Sequence, residues 1–316
     1  MDYSIVVPLF NEEEVINECY TQLTAAMVGC GGAYELVFIN DGSSDRTMAL
    51  ARLLAENDDR VKIISFSRNF GHQNAITAGM NNASGNAVVV IDADLQDPPG
   101  VIPDMIAKWK EGYDVVYGKR SKRKGESIFK KATAKLFYRT LNSLTDVDIP
   151  EDAGDFRLLD RKVIDLLKTL PERNRYVRGL VSWVGFRQTA VEYIRDERFA
   201  GKTKYPLRKM LRFAADAMTS FSQKPLKMSV FVGILLSLAS FLYLLVVIYL
   251  AIFTDVTVPG WASLAAISLF FNGVVLIFLG IIGQYIGRIY DETKARPLYI
   301  IGEMVGFYSD SSGAPK

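Results

Sequence analysis

The first 120 residues alternate short apolar runs with stretches of helical spacing. Tyr3–Val7, Leu36–Asn40, Val61–Phe66, Ala87–Ile91 and Asp114–Tyr117 read as strands, being rich in β-branched residues and bounded by turn formers. Between them, Glu12–Met27, Asp45–Asn57, Asn74–Ala83 and Val101–Glu111 carry apolar residues at helical intervals. Strand–helix alternation predicts an α/β fold, a mainly parallel sheet with helices on both faces. In open sheets of this kind, ligands sit at the carboxyl ends of the strands.

The pattern changes late in the chain. No charged residue occurs from Met228 to Thr254, nor from Val256 to Gly287. Each stretch exceeds the roughly 20 apolar residues needed to cross a bilayer core. Two spans are predicted, at about 228–254 and 261–287, joined by a turn-rich link at Asp255–Gly260. Lys224 and Lys227 precede the first span, and Arg288, Lys294 and Arg296 follow the second. By the positive-inside rule both flanks are cytoplasmic. The N-terminus lacks the pattern of a secretory signal, so a cytoplasmic domain over 1–205 is expected, with both termini on that side of an inner or plasma membrane. Over 206–227, Leu207, Met210, Leu211, Ala214, Met218 and Phe221 recur at helical spacing beside Arg208, Lys209 and Arg212. That predicts an amphipathic helix lying in the membrane interface. Residues 288–316 read as a cytoplasmic tail, loose from Ser309 onward.

Composition narrows the function classes. Among 316 residues, 37 Lys+Arg nearly balance 35 Asp+Glu, which argues against nucleic acid as a partner. Two cysteines exclude a disulfide scaffold, and a single histidine, His72, excludes chemistry that needs two. His72 itself reads as a helix-start residue.

The chemistry-bearing residues fall at strand ends. Asp41 and Asp92 each close an apolar strand, where a carboxylate serves a ligand better than a core. Asp45 reads as a helix N-cap. Asp92-Ala93-Asp94 places two carboxylates at i and i+2, able to converge on a hard cation such as Mg2+ or Mn2+, with Gln96 as a neutral oxygen donor. Such a cation offsets charge on a diphosphate leaving group. No Gly-x-Gly-x-x-Gly follows the first strand, against a dinucleotide fold. Gly79–Gly85 mimics a phosphate loop in its glycine spacing but lacks the lysine, and reads as a helix C-cap and turn.

Taken together, these motifs resemble the inverting family 2 glycosyltransferases of GT-A fold. More narrowly, they resemble the polyprenyl-phosphate glycosyltransferases, a group that includes bactoprenol glucosyltransferases and dolichol-phosphate mannose synthase. The resemblance rests on Pro8–Glu12, Asn40–Asp45, Ser67–Gly71, Asp92–Pro99, Gly154–Arg157, Gly179–Gly185, Arg198–Lys204, and Tyr285–Tyr290 running on to Arg296-Pro297. It implies a Rossmann-like sheet, interfacial helices and a transmembrane hairpin. It assigns base and ribose to Pro8, Phe10, Asn11, Glu12 and Asp41; Phe10 stands where family members often carry Tyr, leaving stacking without a hydroxyl contact. It puts Asp92 at the nucleotide sugar and the metal, makes Asp94 and Gln96 metal ligands, and makes Asp155 and Asp94 catalytic. It brings Arg120 and Arg198 to the lipid phosphate.

The implied reaction moves one sugar from UDP-glucose or UDP-GlcNAc to undecaprenyl phosphate, with GDP-mannose as an alternative donor. The resemblance is compatible with a homo-oligomer such as a tetramer. A lipid phosphate is already anionic at neutral pH, so Asp155 has less to do as a base than as an orienting or electrostatic group. A processive polysaccharide synthase would carry Gln-x-x-Arg-Trp, and none of Trp109, Trp183 and Trp261 follows an arginine. A non-catalytic nucleotide-sugar-binding scaffold is the rival from another class.

Overall fold

A computed structural model of the chain describes residues 1–121, 153–194, 224–253 and 260–307. Its sheet is built from β1 (Tyr3–Leu9), β2 (Tyr34–Asn40), β3 (Val61–Phe66), β4 (Ala87–Val90), β5 (Val115–Arg120), β6 (Ala153–Asp160), β7 (Gln188–Tyr193) and β8 (Ile301–Val305). The strand order is β7-β5-β6-β4-β1-β2-β3-β8. Pairings β1–β2, β1–β4, β2–β3 and β5–β7 are parallel. Strand β6 runs antiparallel between β4 and β5, and β8 antiparallel beside β3. The expected parallel sheet is thus the central part of a mixed, Rossmann-like one.

Helices cover both faces, which is why β1 and β2 are buried at every position rather than at alternate ones. Ile5, Val7, Leu36 and Phe38 face one layer with α1 (Ile16–Val28), α2 (Thr47–Asn57) and α4 (Ile102–Lys110). Val6, Val37 and Ile39 face the other, made by α3 (His72–Asn82), α5 (Arg161–Thr169) and α6 (Val177–Trp183). The segment Gly79–Gly85 holds the C-cap of α3, at Ala83, and the turn into β4, while Gly79 itself lies within the helix. Its role is close approach: a Cβ there would stand 2.2 Å from Val6 Cγ1 and 2.7 Å from Ile39 Cδ1.

Two further helices, α7 (Lys224–Phe253) and α8 (Trp261–Lys294), are long and apolar enough to cross a membrane. At 30 and 34 residues they measure about 45 and 51 Å, against about 30 Å of hydrocarbon. Neither apolar window is buried by the other described residues. The described helix α8 runs on past 287 to Lys294. The interfacial helix expected over 206–227 lies outside the described residues up to 223, and residues 224–227 belong to α7.

The segment after α8 corrects the expectation of a simple tail. The chain returns to the sheet as β8, where Glu303 pairs with Arg52 at 2.5 Å and Tyr299 stacks on Phe66 at 5.0 Å between ring centres. The sheet therefore closes only with residues that follow the second span.

Candidate active site

The register of β4 and β6 assembles the centre. Val90 pairs with Arg157, so two residues further along this antiparallel ladder Asp92 comes alongside Asp155. Asp155 is therefore a strand residue, buried, and not the turn residue that its place after Gly154 allows. Arg178, in the first turn of α6, grips it with two parallel bonds: Nε donates to Oδ1 at 2.7 Å and Nη2 to Oδ2 at 2.8 Å. His72 opens α3 as predicted, but also reaches the centre. Its Nε2 lies 3.3 Å from Asp155 Oδ2 and 3.5 Å from Asp92 Oδ1. A bond from Val177 N–H to Gln73 Oε1, 2.9 Å, ties the start of α6 to the start of α3 and holds both cations in place.

Electrostatics sort these groups. Burial would raise the Asp155 pKa, but Arg178, with His72, overrides it and holds the carboxyl well below the usual range. For His72, burial opposes the charge, yet the bond to Asp155 and the charge of Asp92 raise its pKa to about 9. Asp92 goes the other way. Burial and the neighbouring carboxylates of Asp155, Asp94 and Asp97 push it up to about 6 against the pull of His72. Its buried Oδ1 accepts no hydrogen bond.

An acceptor oxygen in excess negative charge, next to a second carboxylate at i+2, suits a divalent cation. Among the described residues no three acidic, histidine or cysteine side chains form a ready-made cage. A cation here would draw its remaining oxygens from substrate phosphate or water. Leu95 adopts a left-handed conformation, φ 57°, and this turn lets the Gln96 N–H reach Asp94 Oδ1 at 3.2 Å. A leucine held there is uncommon, and such positions concentrate at functional sites.

The other expected residues divide. Phe10 is 45% exposed at the end of β1, its ring open to a ligand. Next to it Asn11, also left-handed at φ 56°, accepts from Ser44 N–H at 2.9 Å, and Glu12 N–H donates to Thr47 Oγ1 at 2.8 Å. Together they fix the loop beyond β1. Asp45 binds the Thr47 and Glu13 N–H groups, 3.0 and 3.2 Å, a structural role close to the predicted cap.

Pro8 is buried within β1 opposite Ile39. Asp41 is buried too, and anchors a loop: it accepts from Phe70 N–H at 2.6 Å, Gly71 N–H at 3.0 Å and Asn69 Nδ2 at 3.0 Å. Gly42, at φ +66°, permits this, because a Cβ there would meet the Arg68–Asn69 backbone at 2.5 Å. Asp41 thus anchors the loop that leads into His72.

Arg120, at the end of β5, is only 15% exposed and faces Asp97 at 3.4 Å and the Tyr193 hydroxyl at 3.3 Å, with Tyr193 in turn donating to Asp97. A lipid phosphate at Arg120 would compete with Asp97. Arg198 lies outside the described residues.

Arg178 and the bridging position of His72 were not evident from sequence, since neither falls at a motif spacing that marks it. Arg157 ends the Gly154–Arg157 motif, but its structural role was not evident from sequence. Fully buried, its pKa drawn down to about 10 by burial, it donates to the Gly154 carbonyl at 2.8 Å and braces the strand that carries Asp155.

Residues 4–167 match the model of glycosyl transferase family 2. An uncharacterized glycosyltransferase of Bacillus subtilis, YkcC, is 62% identical, covering 97% of this chain and 95% of its own. A bactoprenol glucosyl transferase of Shigella phage SfV is 44% identical, covering 95% of this chain and 98% of its own. Among solved structures, glucosyl-3-phosphoglycerate synthase from Mycobacterium tuberculosis overlays at a TM-score of 0.45 and 22% identity, over 69% of this chain and 79% of that one, too remote to inform the site. On the family match and the near full-length relatives, this chain belongs to glycosyl transferase family 2 and is a glycosyltransferase.

Proposed function

We propose that this enzyme transfers a single sugar, with inversion, from a UDP-sugar to a polyprenyl phosphate at the cytoplasmic face of a membrane. Glucose or N-acetylglucosamine is the sugar we favour, and undecaprenyl phosphate the acceptor. The observation that carries the reading is the centre made by Asp92, Asp94 and Asp155 with His72 and Arg178, on a chain with two unburied apolar helices. The 44% identity to a bactoprenol glucosyl transferase, over nearly the whole length of both proteins, supports the lipid acceptor. The cations at 224, 227, 288, 294 and 296 support a cytoplasmic catalytic domain.

The chemistry follows from the charges. A lipid phosphate oxygen attacks the anomeric carbon as the bond from that carbon to the β-phosphate oxygen breaks, and UDP leaves with the electron pair. The nucleophile is anionic already, so no base is required. Asp155, pinned as a carboxylate by Arg178, is the wrong group to accept a proton and the right one to face positive charge developing on the sugar. His72, as imidazolium, offsets the carboxylates and orients Asp155. Phe10 offers its ring to the base, with Asn11 and Glu12 shaping the loop. Asp92 and Asp94, with Gln96, would hold Mg2+ or Mn2+, which supplies Lewis-acid neutralisation of the diphosphate.

The test is UDP release by the purified full chain. It should require both polyprenyl phosphate and a divalent cation, stop with EDTA, and vanish in Asp94→Asn while membrane insertion is kept. Release that ignores the lipid, or that survives Asp94→Asn, contradicts the reading.

A further inference from the structure

A second charged site lies away from the acidic centre. A cavity of about 220 Å³ opens between the end of α8 and the catalytic domain, lined by Asn74, Arg173, Asn174, Asp291, Lys294 and Arg296 among others. Three cations against one carboxylate leave it a net charge of +2. Among the described residues, Lys294 and Arg296 have no carboxylate partner, and Lys294 Nζ rests over the Tyr290 ring at 4.1 Å.

The wall is held in advance of any ligand. Glu292 accepts from the Arg173 and Asn174 N–H groups at 2.7 and 3.3 Å, and the Arg173 guanidinium donates to the Arg296 carbonyl. At 220 Å³ the cavity is below the roughly 300–1,000 Å³ of ordinary small-molecule sites, and it suits a headgroup rather than a sugar nucleotide.

Position supplies the ligand. The charge-free run of α8 ends at Gly287, about 10 Å of helix before Lys294. The cavity therefore sits just beyond the point where a crossing helix leaves the hydrocarbon, at the level of lipid phosphates. On its other side is Asn74, two residues along α3 from His72, which touches Asp155 and Asp92.

We propose that this cavity is a binding site for the phosphate of a membrane lipid, held by Lys294 and Arg296 with Arg173, at the membrane edge of the catalytic centre. Forked guanidinium and ammonium donors suit that group. The site's existence rests on this geometry alone. Its use for the acceptor rests on the function proposed above.

The test measures equilibrium binding to the purified full chain in neutral detergent, with undecaprenyl phosphate in one arm and phosphatidylglycerol in the other. Lys294→Gln with Arg296→Gln should weaken binding about tenfold in at least one arm. The charge-keeping pair Lys294→Arg with Arg296→Lys should stay within about threefold, and UDP affinity should not move. Loss confined to undecaprenyl phosphate identifies an acceptor seat, and loss for phosphatidylglycerol identifies a bulk-lipid headgroup site; both support the proposal. Kd values within twofold of wild type in both arms overturn it. A wild-type protein that makes no lipid-linked sugar refutes the proposed reaction and leaves this binding comparison intact.

Discussion

Replacing Arg178 with Gln removes both hydrogen bonds to Asp155 and leaves a carboxylate that is 6% exposed with His72 as its side-chain hydrogen-bond partner among the described residues. Losing one partner of a fully buried pair costs about 3–5 kcal/mol. Arg178 is 27% exposed, so water screens part of the loss and the lower end, about 3 kcal/mol, applies. For a catalytic domain of this size that corresponds to a fall in Tm of about 6–12 °C. Activity should drop as well, by about two orders of magnitude, because the carboxylate loses its orientation.

The pH dependence has a definite sign. In wild type the Asp155 pKa is depressed, so its contribution is present above the unfolded value near 3.8 and is lost only as pH falls through the still lower folded value. Without Arg178, burial raises the pKa, and an acid limb should enter the pH–rate profile. Thermal unfolding and UDP release across pH measure both effects. Asp155→Asn with Arg178→Gln should recover most of the stability and none of the activity. A single Arg178→Gln enzyme with wild-type Tm and rate would refute the reasoning.

Other perturbations have equally concrete outcomes. Gly79→Ala gains about 1 kcal/mol of helix propensity but drives a methyl into Val6, whose short side chain on a fully buried strand has nowhere to move. Net destabilisation of about 1–2 kcal/mol is expected in a thermal melt. Glu35 is buried under Ser4, Ser84 and Lys62; burial opposes its charge, but these partners together lower its pKa below 4.5. Its stabilisation is therefore full above pH 4.5 and fades as pH falls below that. Glu35→Gln should lose about 2 kcal/mol at pH 7 and show a flatter fall in Tm between pH 5 and 3. Truncation after Lys294 removes β8 and bares the β3 edge. The shortened protein should melt lower and aggregate more in size-exclusion chromatography, whereas a dispensable tail would change neither.

The parallel core of the sheet was legible because β1 to β4 are dense in β-branched and other apolar residues, with β1, β2 and β4 buried at every position. β3 even has the predicted bounds, Val61–Phe66. The two long apolar helices were legible through their length without charge. Strand β6 was not, because Ala153–Asp160 mixes Asp155 and Arg157 into its run, and Asp155 is balanced by Arg178 on a helix 23 residues further on. Strand β8 was hidden by distance: nothing in Ile301–Val305 tells that it returns across two spans to pair with β3.

At the site, Asp92, Asp94 and Asp155 stood out as carboxylates at strand ends or in a family motif. Their counter-charges did not, since Arg178 and His72 sit on helices whose placement depends on tertiary contacts. Pro8 and Asp41 are both buried, and the bonds by which Asp41 holds the Phe70–Gly71 loop were not announced by the motif.

The central claim is transfer of one sugar to a lipid phosphate. It is tested most directly by incubating the purified full chain with undecaprenyl phosphate, Mg2+ or Mn2+ and a panel of UDP- and GDP-sugars, then weighing the extracted lipid. The account predicts a lipid heavier by one hexose or one N-acetylhexosamine, formed by wild type and absent with Asp94→Asn. Unchanged lipid with every donor, from folded protein that binds UDP, would contradict it.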